Sequence, residues 1–190
     1  MRIGLTGGIA SGKSTVSKYL HDRYGIPVLS ADRYAHYVLE NVIKDSVIDR
    51  FGSQILQSGT IDRRTLGQIV FSQPEERAWL ESKIHPIVKE LMTRDLQEYP
   101  NQNVVLEIPL LFEAKMTDLV DQVWVVICSE QKMIERLQKR HQLTIKECHD
   151  RIKTQMPIQA KCKLADVILE NEGTLAELYQ QVDRVCQSLQ

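Results

Sequence analysis

A glycine-rich stretch near the start of the chain has the residue types and the spacing that bind phosphate. Residues 7–14 match the pattern G-x-x-x-x-G-K-[ST] in full. Glycines let the backbone curl so that successive N–H groups point inward at an anion. The lysine and the hydroxyl that end the pattern suit the outer phosphates and the Mg²⁺ of a nucleoside triphosphate. The stretch therefore predicts binding of ATP or a similar nucleotide, but it leaves the reaction open.

The residues of this loop have separate expected parts in binding. Lys13 should reach the β- and γ-phosphates, Ser14 should offer its hydroxyl to Mg²⁺, and Thr15 can donate to an α-phosphate oxygen. The helix that follows the loop adds partial positive charge from its N-terminus. We expect seven residues here to bind ATP: Gly8, Ala10, Ser11, Gly12, Lys13, Ser14 and Thr15.

An acidic residue, Asp32, follows a second short apolar run of the chain. If that run is a strand of a parallel sheet, Asp32 lies at the edge where ligands gather. A carboxylate there could orient an acceptor hydroxyl and take its proton during phosphoryl transfer. It could equally cap a helix that begins at Arg33, since Asp is a favoured capping residue. The residue types alone leave both possibilities open.

Apolar runs rich in β-branched residues alternate with helical patterns along the chain. The runs predict strands at residues 3–6, 27–29, 104–108, 122–127 and 167–169. The patterns predict helices at residues 14–24, 75–99, 130–140, 144–153 and 174–187. Pro86 should break or kink the second of these near His85. Strands that alternate with helices indicate an α/β protein with a mainly parallel sheet.

The composition narrows the class of protein. Hydrophobic residues make up 43% of the 190 residues, charged residues make up 26%, and the formal net charge is −1. A nucleic-acid binder normally has a basic excess, so we expect no nucleic-acid partner. No stretch is long and apolar enough to span a membrane, and we expect no leader segment and no membrane partner. The four cysteines lack metal-site spacing, so we expect reduced thiols in a cytoplasmic protein.

Other classes of nucleotide-binding protein carry elements that this chain lacks. It has no N-K-x-D element of guanine-specific switches and no L-S-G-G-Q signature of transporters. A small-molecule kinase is therefore the favoured interpretation. A kinase for another acceptor, such as a nucleoside monophosphate, is one alternative. A nucleotide-dependent binding protein without an acceptor is the other.

A series of blocks along the chain resembles the dephospho-CoA kinase family. The most distinctive is Pro-Leu-Leu-Phe-Glu at residues 109–113, and His-Pro at residues 85–86 is another. The other similar blocks are residues 5–14, 31–32, 62–71, 151–157 and 165–173. The family usually has glycine where Ala10 stands, and we expect the methyl group to be tolerated. Together the blocks cover essentially the whole chain in the family's order.

The resemblance implies a fold and a reaction. The fold is a P-loop NTPase three-layer α/β/α arrangement with a five-stranded parallel sheet, in a single domain spanning residues 1–190. A helical substrate-binding insertion is expected at about residues 33–100 and a lid at about 136–160. The reaction is transfer of the ATP γ-phosphate to the ribose 3′-hydroxyl of dephospho-CoA, the final step of coenzyme A biosynthesis. We expect Mg²⁺ as cofactor, and a monomer or weak homo-oligomer.

The resemblance also adds residues to the catalytic and metal sites. Asp32 becomes the expected catalytic carboxylate, together with Lys13. Glu107 ends the third predicted strand, where it would hold Mg²⁺ with Ser14 or instead bond the loop. The family often has Asp at this position. Arg136 and Arg140 share a helix face; we expect Arg140 to close over the phosphates, and Arg136 stays open between that role and a solvated surface.

Four residues are candidates for binding the acceptor: Arg63, Arg64, His85 and Phe112. The two guanidinium groups suit a pyrophosphate, although they could instead pair with Asp62. His85 could bond the acceptor ribose or adenine, or stabilise its helix, and Phe112 should pack beneath the adenine unless it is simply core. On the donor side, we expect Asn171 to lie beside the ATP adenine, in a loop whose contacts come largely from its backbone.

Overall fold

Short β-branched runs form the strands of the protein, and segments with one apolar face form its helices. The structure is a computed structural model that describes residues 1–187, so the last three residues of the predicted domain lie outside the described residues. The strands are β1 Arg2–Gly7, β2 Val28–Ser30, β3 Leu56–Gln57, β4 Thr60–Ile61, β5 Val104–Glu107, β6 Gln122–Ile127 and β7 Val167–Glu170. The helices are α1 Lys13–Tyr24, α2 Ala31–Asn41, α3 Lys44–Phe51, α4 Arg63–Ser72, α5 Pro74–Leu96, α6 Glu130–His141, α7 Ile145–Lys153, α8 Ile158–Cys162 and α9 Leu175–Gln187.

Five of the strands form one parallel sheet in the order β2-β5-β1-β6-β7. The five predicted strands are confirmed to within one residue at each end. In the register of the sheet, Glu107 at the end of β5 lies opposite both Leu5 of β1 and Ser30 of β2. The carboxyl ends of β1, β2 and β5 therefore reach the same edge of the sheet.

The core lies where helices α1 and α9 pack against this sheet. The central strands β1 and β5 are almost fully buried, which explains their continuous apolar sequences. One buried cluster joins strands and helices: Ile3, Leu5, Val16, Leu20, Ile26, Val105, Trp124, Val126, Leu169, Leu178, Val182 and Cys186. Burial of this cluster fixes the position of α1, and hence of the loop that precedes it.

The contacts within the chain divide it into two compact units. One consists of residues 1–30 and the residues from 99 onward, and it contains the five-stranded sheet. The other consists of residues 31–98, with α2 to α5 and the antiparallel hairpin β3–β4. Ser58 and Gly59 form the hairpin turn with φ angles of 51° and 80°, as a two-residue turn of this type requires. The helices here agree with the sequence, but the hairpin was not predicted.

Of the break or kink expected near His85, the break is wrong, because α5 continues through Pro86 from Pro74 to Leu96. Proline removes one backbone donor from a helix interior. Here the helix carries buried Val88 and Met92, and it packs against α2 and α4 within the same unit. This packing holds the helix together across the missing hydrogen bond. None of the helices in the described part of the chain is long and apolar enough to cross a membrane.

Candidate active site

The glycine-rich stretch forms a loop between β1 and α1, at the carboxyl end of the central strand. Three of its residues have positive φ angles, Gly7 with 148°, Ala10 with 56° and Gly12 with 107°. A Cβ atom on Gly12 would lie 2.2 Å from Asn171 Nδ2, so only glycine fits there. Ala10 adopts a conformation that costs a non-glycine residue about 1–2 kcal/mol. The loop is therefore curled as the motif predicts, with some strain at Ala10.

The outer face of this loop is held by side chains from distant parts of the chain. Arg136 Nη1 donates to the carbonyl oxygens of Ala10 at 3.1 Å and Ser11 at 3.2 Å. Its Nη2 donates to the Asn171 carbonyl at 3.3 Å. The Asn171 side-chain amide is buried and donates to the same Ser11 carbonyl at 2.7 Å. These bonds take up carbonyl groups of the loop, so those carbonyls do not compete for its N–H groups; of the N–H groups, that of Ser11 donates to the Gly8 carbonyl at 3.2 Å.

The loop after β7 is itself fixed to the start of α6. The Asn171 N–H donates to the carbonyl of Ile127 at the end of β6, at 2.8 Å. Glu172 accepts a hydrogen bond from the Ser129 N–H and lies 3.4 Å from Lys132 Nζ. These contacts lower the pKa of the Glu172 carboxyl, and the hydrogen bond from the Ser129 N–H has the largest effect. Asn171 is thus anchored beside the phosphate loop, where we expected it to line the adenine site.

Glu107, at the end of β5, contacts the helix that follows the phosphate loop. It is only 9% exposed, and its two carboxylate oxygens accept from two hydroxyls of α1. Ser14 Oγ donates to Oε1 at 2.8 Å, and Ser17 Oγ donates to Oε2 at 2.7 Å. The alternative that Glu107 bonds the loop backbone is not what the structure shows. Ser14 and Glu107, the two predicted metal ligands, lie in direct contact.

These oxygens are suitable for Mg²⁺. Mg²⁺ prefers hard oxygen ligands, and it usually binds through one or two carboxylates, substrate phosphates and water rather than through a cage of protein ligands. No cluster of three or more His, Cys, Asp or Glu side chains that could hold a metal ion occurs in residues 1–187. The Ser14 hydroxyl and the Glu107 carboxylate therefore fit the expected ion.

Lys13 is mostly buried at the start of α1. Its Nζ donates to the Gly8 carbonyl at 2.8 Å and lies 3.4 Å from that of Gly7. The ammonium group is therefore held against the loop that it is expected to serve. Thr15 lies in the first turn of α1, where its backbone N–H bonds the Gly12 carbonyl at 3.0 Å.

The candidates outside this cluster lie in three further places. Asp32 is exposed in the first turn of α2, which begins at Ala31, so it does not cap a helix starting at Arg33. Arg140 is exposed in the last turn of α6. Phe112 is half-buried in the turn after β5, outside the buried core.

The remaining acceptor candidates lie in the unit of residues 31–98. Arg63 and Arg64 are exposed in the first turn of α4. Asp62 caps that helix by accepting from the Arg64 N–H at 2.9 Å and from the Thr65 hydroxyl. These bonds lower the pKa of Asp62, and the bond from the Thr65 hydroxyl has the largest effect. The carboxylate is therefore used to cap the helix. His85 is half-buried in α5, on which α4 packs.

Of the residues that support this site, the sequence did not single out Ser17, and it left the role of Arg136 open. Ser17 lies three residues after Ser14 and so shares its helix face, which is the spacing that could have identified it. The role of Arg136 was left open because its partners are backbone carbonyls. Every residue has a backbone carbonyl, so the sequence does not show which of them an arginine will bind. Its contacts with the loop show that it does not belong to a solvated surface alone.

A parallel sheet with a glycine-rich phosphate loop after its central strand, and an acid beside the first helix, defines a P-loop kinase-like nucleotide-binding fold. The family model for dephospho-CoA kinase matches residues 1–177 of the chain. A dephospho-CoA kinase from Synechocystis is 48% identical over 184 residues, which are 95% of this chain and 92% of the relative. The chain belongs to the dephospho-CoA kinase family.

Solved structures agree with this assignment. A Thermus thermophilus protein is 36% identical with a TM-score of 0.82, and the match covers 100% of this chain and 98% of that one. The dephospho-CoA kinase from Campylobacter jejuni is 28% identical with a TM-score of 0.72, over 99% of this chain and 96% of that one. Both matches extend over essentially the complete fold, so the three-layer α/β/α architecture predicted from the sequence is confirmed.

Proposed function

We propose that the protein transfers the γ-phosphoryl group of ATP to the ribose 3′-hydroxyl of dephospho-CoA, forming coenzyme A and ADP. The observation that carries this proposal is the match to the dephospho-CoA kinase family over residues 1–177. The loop and Glu107 supply the site for the donor, as any such kinase requires. The transfer is an in-line displacement in which the acceptor oxygen bonds to phosphorus and the bond to the ADP oxygen breaks.

On the donor side, the inward N–H groups of the loop and Lys13 neutralise the phosphates. Ser14 and Glu107 would hold Mg²⁺, which when bound neutralises charge on the β- and γ-phosphates. Arg140 is assigned to the charge that develops during transfer, and Asn171 to the rim of the adenine site. Arginines with this role in well-studied NTPases contribute about 10³–10⁵ in rate.

On the acceptor side, Asp32 orients the 3′-hydroxyl and takes its proton. Arg63 and Arg64 bind the acceptor pyrophosphate, His85 its ribose or adenine, and Phe112 packs against the adenine. The single domain includes a substrate-binding insertion at about residues 33–100 and a lid at about 136–160. Closure of the lid excludes water and so limits wasteful hydrolysis of ATP.

We also propose that the protein is cytoplasmic and acts as a monomer or weak homo-oligomer, without nucleic-acid or membrane partners. Cys128, Cys148, Cys162 and Cys186 are free thiols, which fits a reducing compartment. Light scattering coupled to size-exclusion chromatography tests the oligomeric part. A stable large assembly at micromolar concentration would contradict it.

The acceptor is tested by ADP release in the presence of ATP and Mg²⁺. Dephospho-CoA is compared with AMP, CMP and shikimate, and formation of coenzyme A is verified by mass spectrometry. We expect turnover that depends on dephospho-CoA alone. Equal ADP release without any acceptor would favour a nucleotide-dependent binding protein, and preference for AMP or CMP would favour a nucleotide kinase.

The base is tested by Asp32→Asn, with Asp49→Asn as a control. Both acids are exposed in the same unit of the chain, so the two variants remove equal charge. We expect Asp32→Asn to retain ATP affinity and to lose about 10²–10⁴ in turnover, the usual contribution of a general base. Near-normal turnover of Asp32→Asn would remove this residue from the mechanism.

A further inference from the structure

Lys161 in α8 is a charged side chain that is completely buried, with 0% exposure. Its ammonium group has two partners in the turn that follows β5. Nζ lies 3.0 Å from the Pro109 carbonyl oxygen, to which it donates, and 3.0 Å from Glu113 Oε1. An ammonium ion is tolerated inside a protein only when it is paired and hydrogen-bonded. The position of Lys161 is therefore coupled to both partners at once.

Each of these partners also binds another segment of the chain. The Pro109 carbonyl accepts from Thr6 Oγ1 at 3.0 Å, just before the phosphate loop. Glu113 Oε1 accepts from the Met156 N–H at 2.8 Å. The end of β1, the turn after β5 and the segment that enters α8 thus meet around one ammonium group.

The carboxylate of Glu113 is held through one oxygen only. Its other oxygen, Oε2, is buried without a hydrogen-bond partner among the described residues, and the same is true of Gln155 Oε1. Without Lys161, the Met156 N–H would remain as the hydrogen-bond donor to this carboxylate among the described residues. Loss of the ammonium group would therefore leave the Glu113 carboxylate and the Pro109 carbonyl with fewer donors, while the turn keeps backbone bonds such as that from the Ala114 N–H to the Leu110 carbonyl. We expect this to loosen the position of Phe112 and Glu113 without unfolding the turn.

We propose that Lys161 is a positioning residue for phosphoryl transfer, which fixes the turn of residues 108–113 and so preforms the acceptor side of the site. The inference rests on the proposed function, because that function assigns Phe112 to the acceptor. Lys161 is buried and acts through the turn rather than on a substrate. The phosphate loop has further contacts of its own, those of Arg136 and Asn171, so we expect the donor side to depend on Lys161 much less than the acceptor side does.

The test compares Lys161→Met with Lys163→Met. Methionine keeps much of the length of lysine and removes the charge, and Lys163 is an exposed lysine two residues along the chain. Kinetic constants for dephospho-CoA are measured on folded enzyme, and the Kd for ATP is measured by calorimetry without acceptor. We expect Lys161→Met to lower kcat/KM for dephospho-CoA by about 10- to 100-fold, the usual effect of a displaced positioning group. The Kd for ATP should stay within about twofold, and Lys163→Met should behave as wild type in both measurements.

The double variant Lys161→Met/Glu113→Gln separates positioning from folding, and it also provides a readout if Lys161→Met does not fold. It removes the buried ammonium group and its half-buried carboxylate partner together, so its thermal stability should exceed that of Lys161→Met. We expect kcat/KM for dephospho-CoA to stay low in the double variant. Recovery of stability and kcat/KM together would show that Lys161 serves only the fold.

Two other outcomes also overturn the role of Lys161. One is unchanged kcat/KM in Lys161→Met, and the other is an equal loss of ATP affinity. Wild-type turnover with dephospho-CoA is measured first. Its absence would overturn the proposed function, whereas normal wild-type turnover with unaltered Lys161→Met kinetics would overturn only this inference.

Discussion

Replacement of Arg136 by methionine should weaken ATP binding although Arg136 is not assigned a contact with ATP. Its guanidinium group donates to carbonyl oxygens of Ala10, Ser11 and Asn171, at 3.1 to 3.3 Å. Methionine fills similar volume and donates no hydrogen bond. The variant therefore leaves the Ala10 carbonyl without this donor while Ala10 remains in its left-handed conformation.

The expected magnitude follows from these contacts. A hydrogen bond from a charged group contributes about 1.5–3 kcal/mol when well buried. Arg136 is half-buried and its three bonds are long, so a total of about 2–3 kcal/mol is a reasonable expectation rather than a sum of three full bonds. If ATP must order the loop on binding, the Kd rises by this amount, which is about 30- to 150-fold.

The assay is calorimetric titration of ATP with Mg²⁺ in excess, with Lys139→Met as a control. Lys139 is exposed on the same helix, so the control loses equal charge without touching the loop. Arg136→Lys should recover less than half of the lost binding free energy, because an ammonium group cannot form the planar fork. Equal Kd values for Arg136→Met and Lys139→Met would refute the idea that this arginine organises the loop.

Three further predictions concern the loop, the metal site and the helix pair α1–α9. Ser17→Ala should raise the Mg²⁺ concentration for half-maximal activity several-fold, since Glu107 Oε2 loses a donor at 2.7 Å. A magnesium titration of activity measures this concentration, and an unchanged titration curve would show that the Ser17 hydroxyl does not support the metal site. Ala10→Gly should change the free energy of unfolding by less than about 1 kcal/mol, because relief of the left-handed strain is offset by greater freedom of the unfolded chain. Ala10→Val should bind ATP at least about tenfold more weakly, since a β-branched residue is a genuine outlier in that conformation; equal affinity of the two variants would contradict the strain. The hydrogen bond from Tyr24 to Asp183 raises the pKa of the tyrosine to about 12. Between pH 10 and 12 the folded protein therefore binds more protons than the unfolded chain, so stability should fall as pH rises through this window. Tyr24→Phe should flatten that fall in denaturant melts, and an unflattened slope would exclude Tyr24 as its source.

The sequence predicted the sheet better than the rest of the fold, and the reason is physical. Strands buried on both faces, such as β1 and β5, need continuous apolar residues, and such a run can be recognised from neighbouring residues of the sequence alone. The break predicted at Pro86 failed because packing around Val88 and Met92 is a tertiary effect. The hairpin at Ser58 and Gly59 escaped because its strands have two residues each, too few to show a period.

The candidate site shows the same division. The loop, Lys13, Ser14 and Glu107 carry local motifs, and the structure brings them together at one edge of the sheet. Ser17 has a visible helical spacing from Ser14, so it could have been found. Lys161 could not, because a lysine near exposed positions gives no sign that it will be fully buried.

A phosphate-loop motif describes only the face of the loop that meets the phosphates. When the N–H groups turn inward, some carbonyl groups must turn outward, and inside a protein they need donors. Here Arg136 and the Asn171 amide supply them, from positions more than a hundred residues away in the chain. Gly12 is needed for the same reason, since a side chain there would displace Asn171 from Ser11. The strain at Ala10 therefore depends on the outer face being satisfied: a loop with alanine at this position should depend more on Arg136 than one with glycine. Ala10→Gly should accordingly reduce the loss of ATP affinity caused by Arg136→Met. An equal loss of affinity with alanine and with glycine at residue 10 would show that the strain at Ala10 does not depend on Arg136.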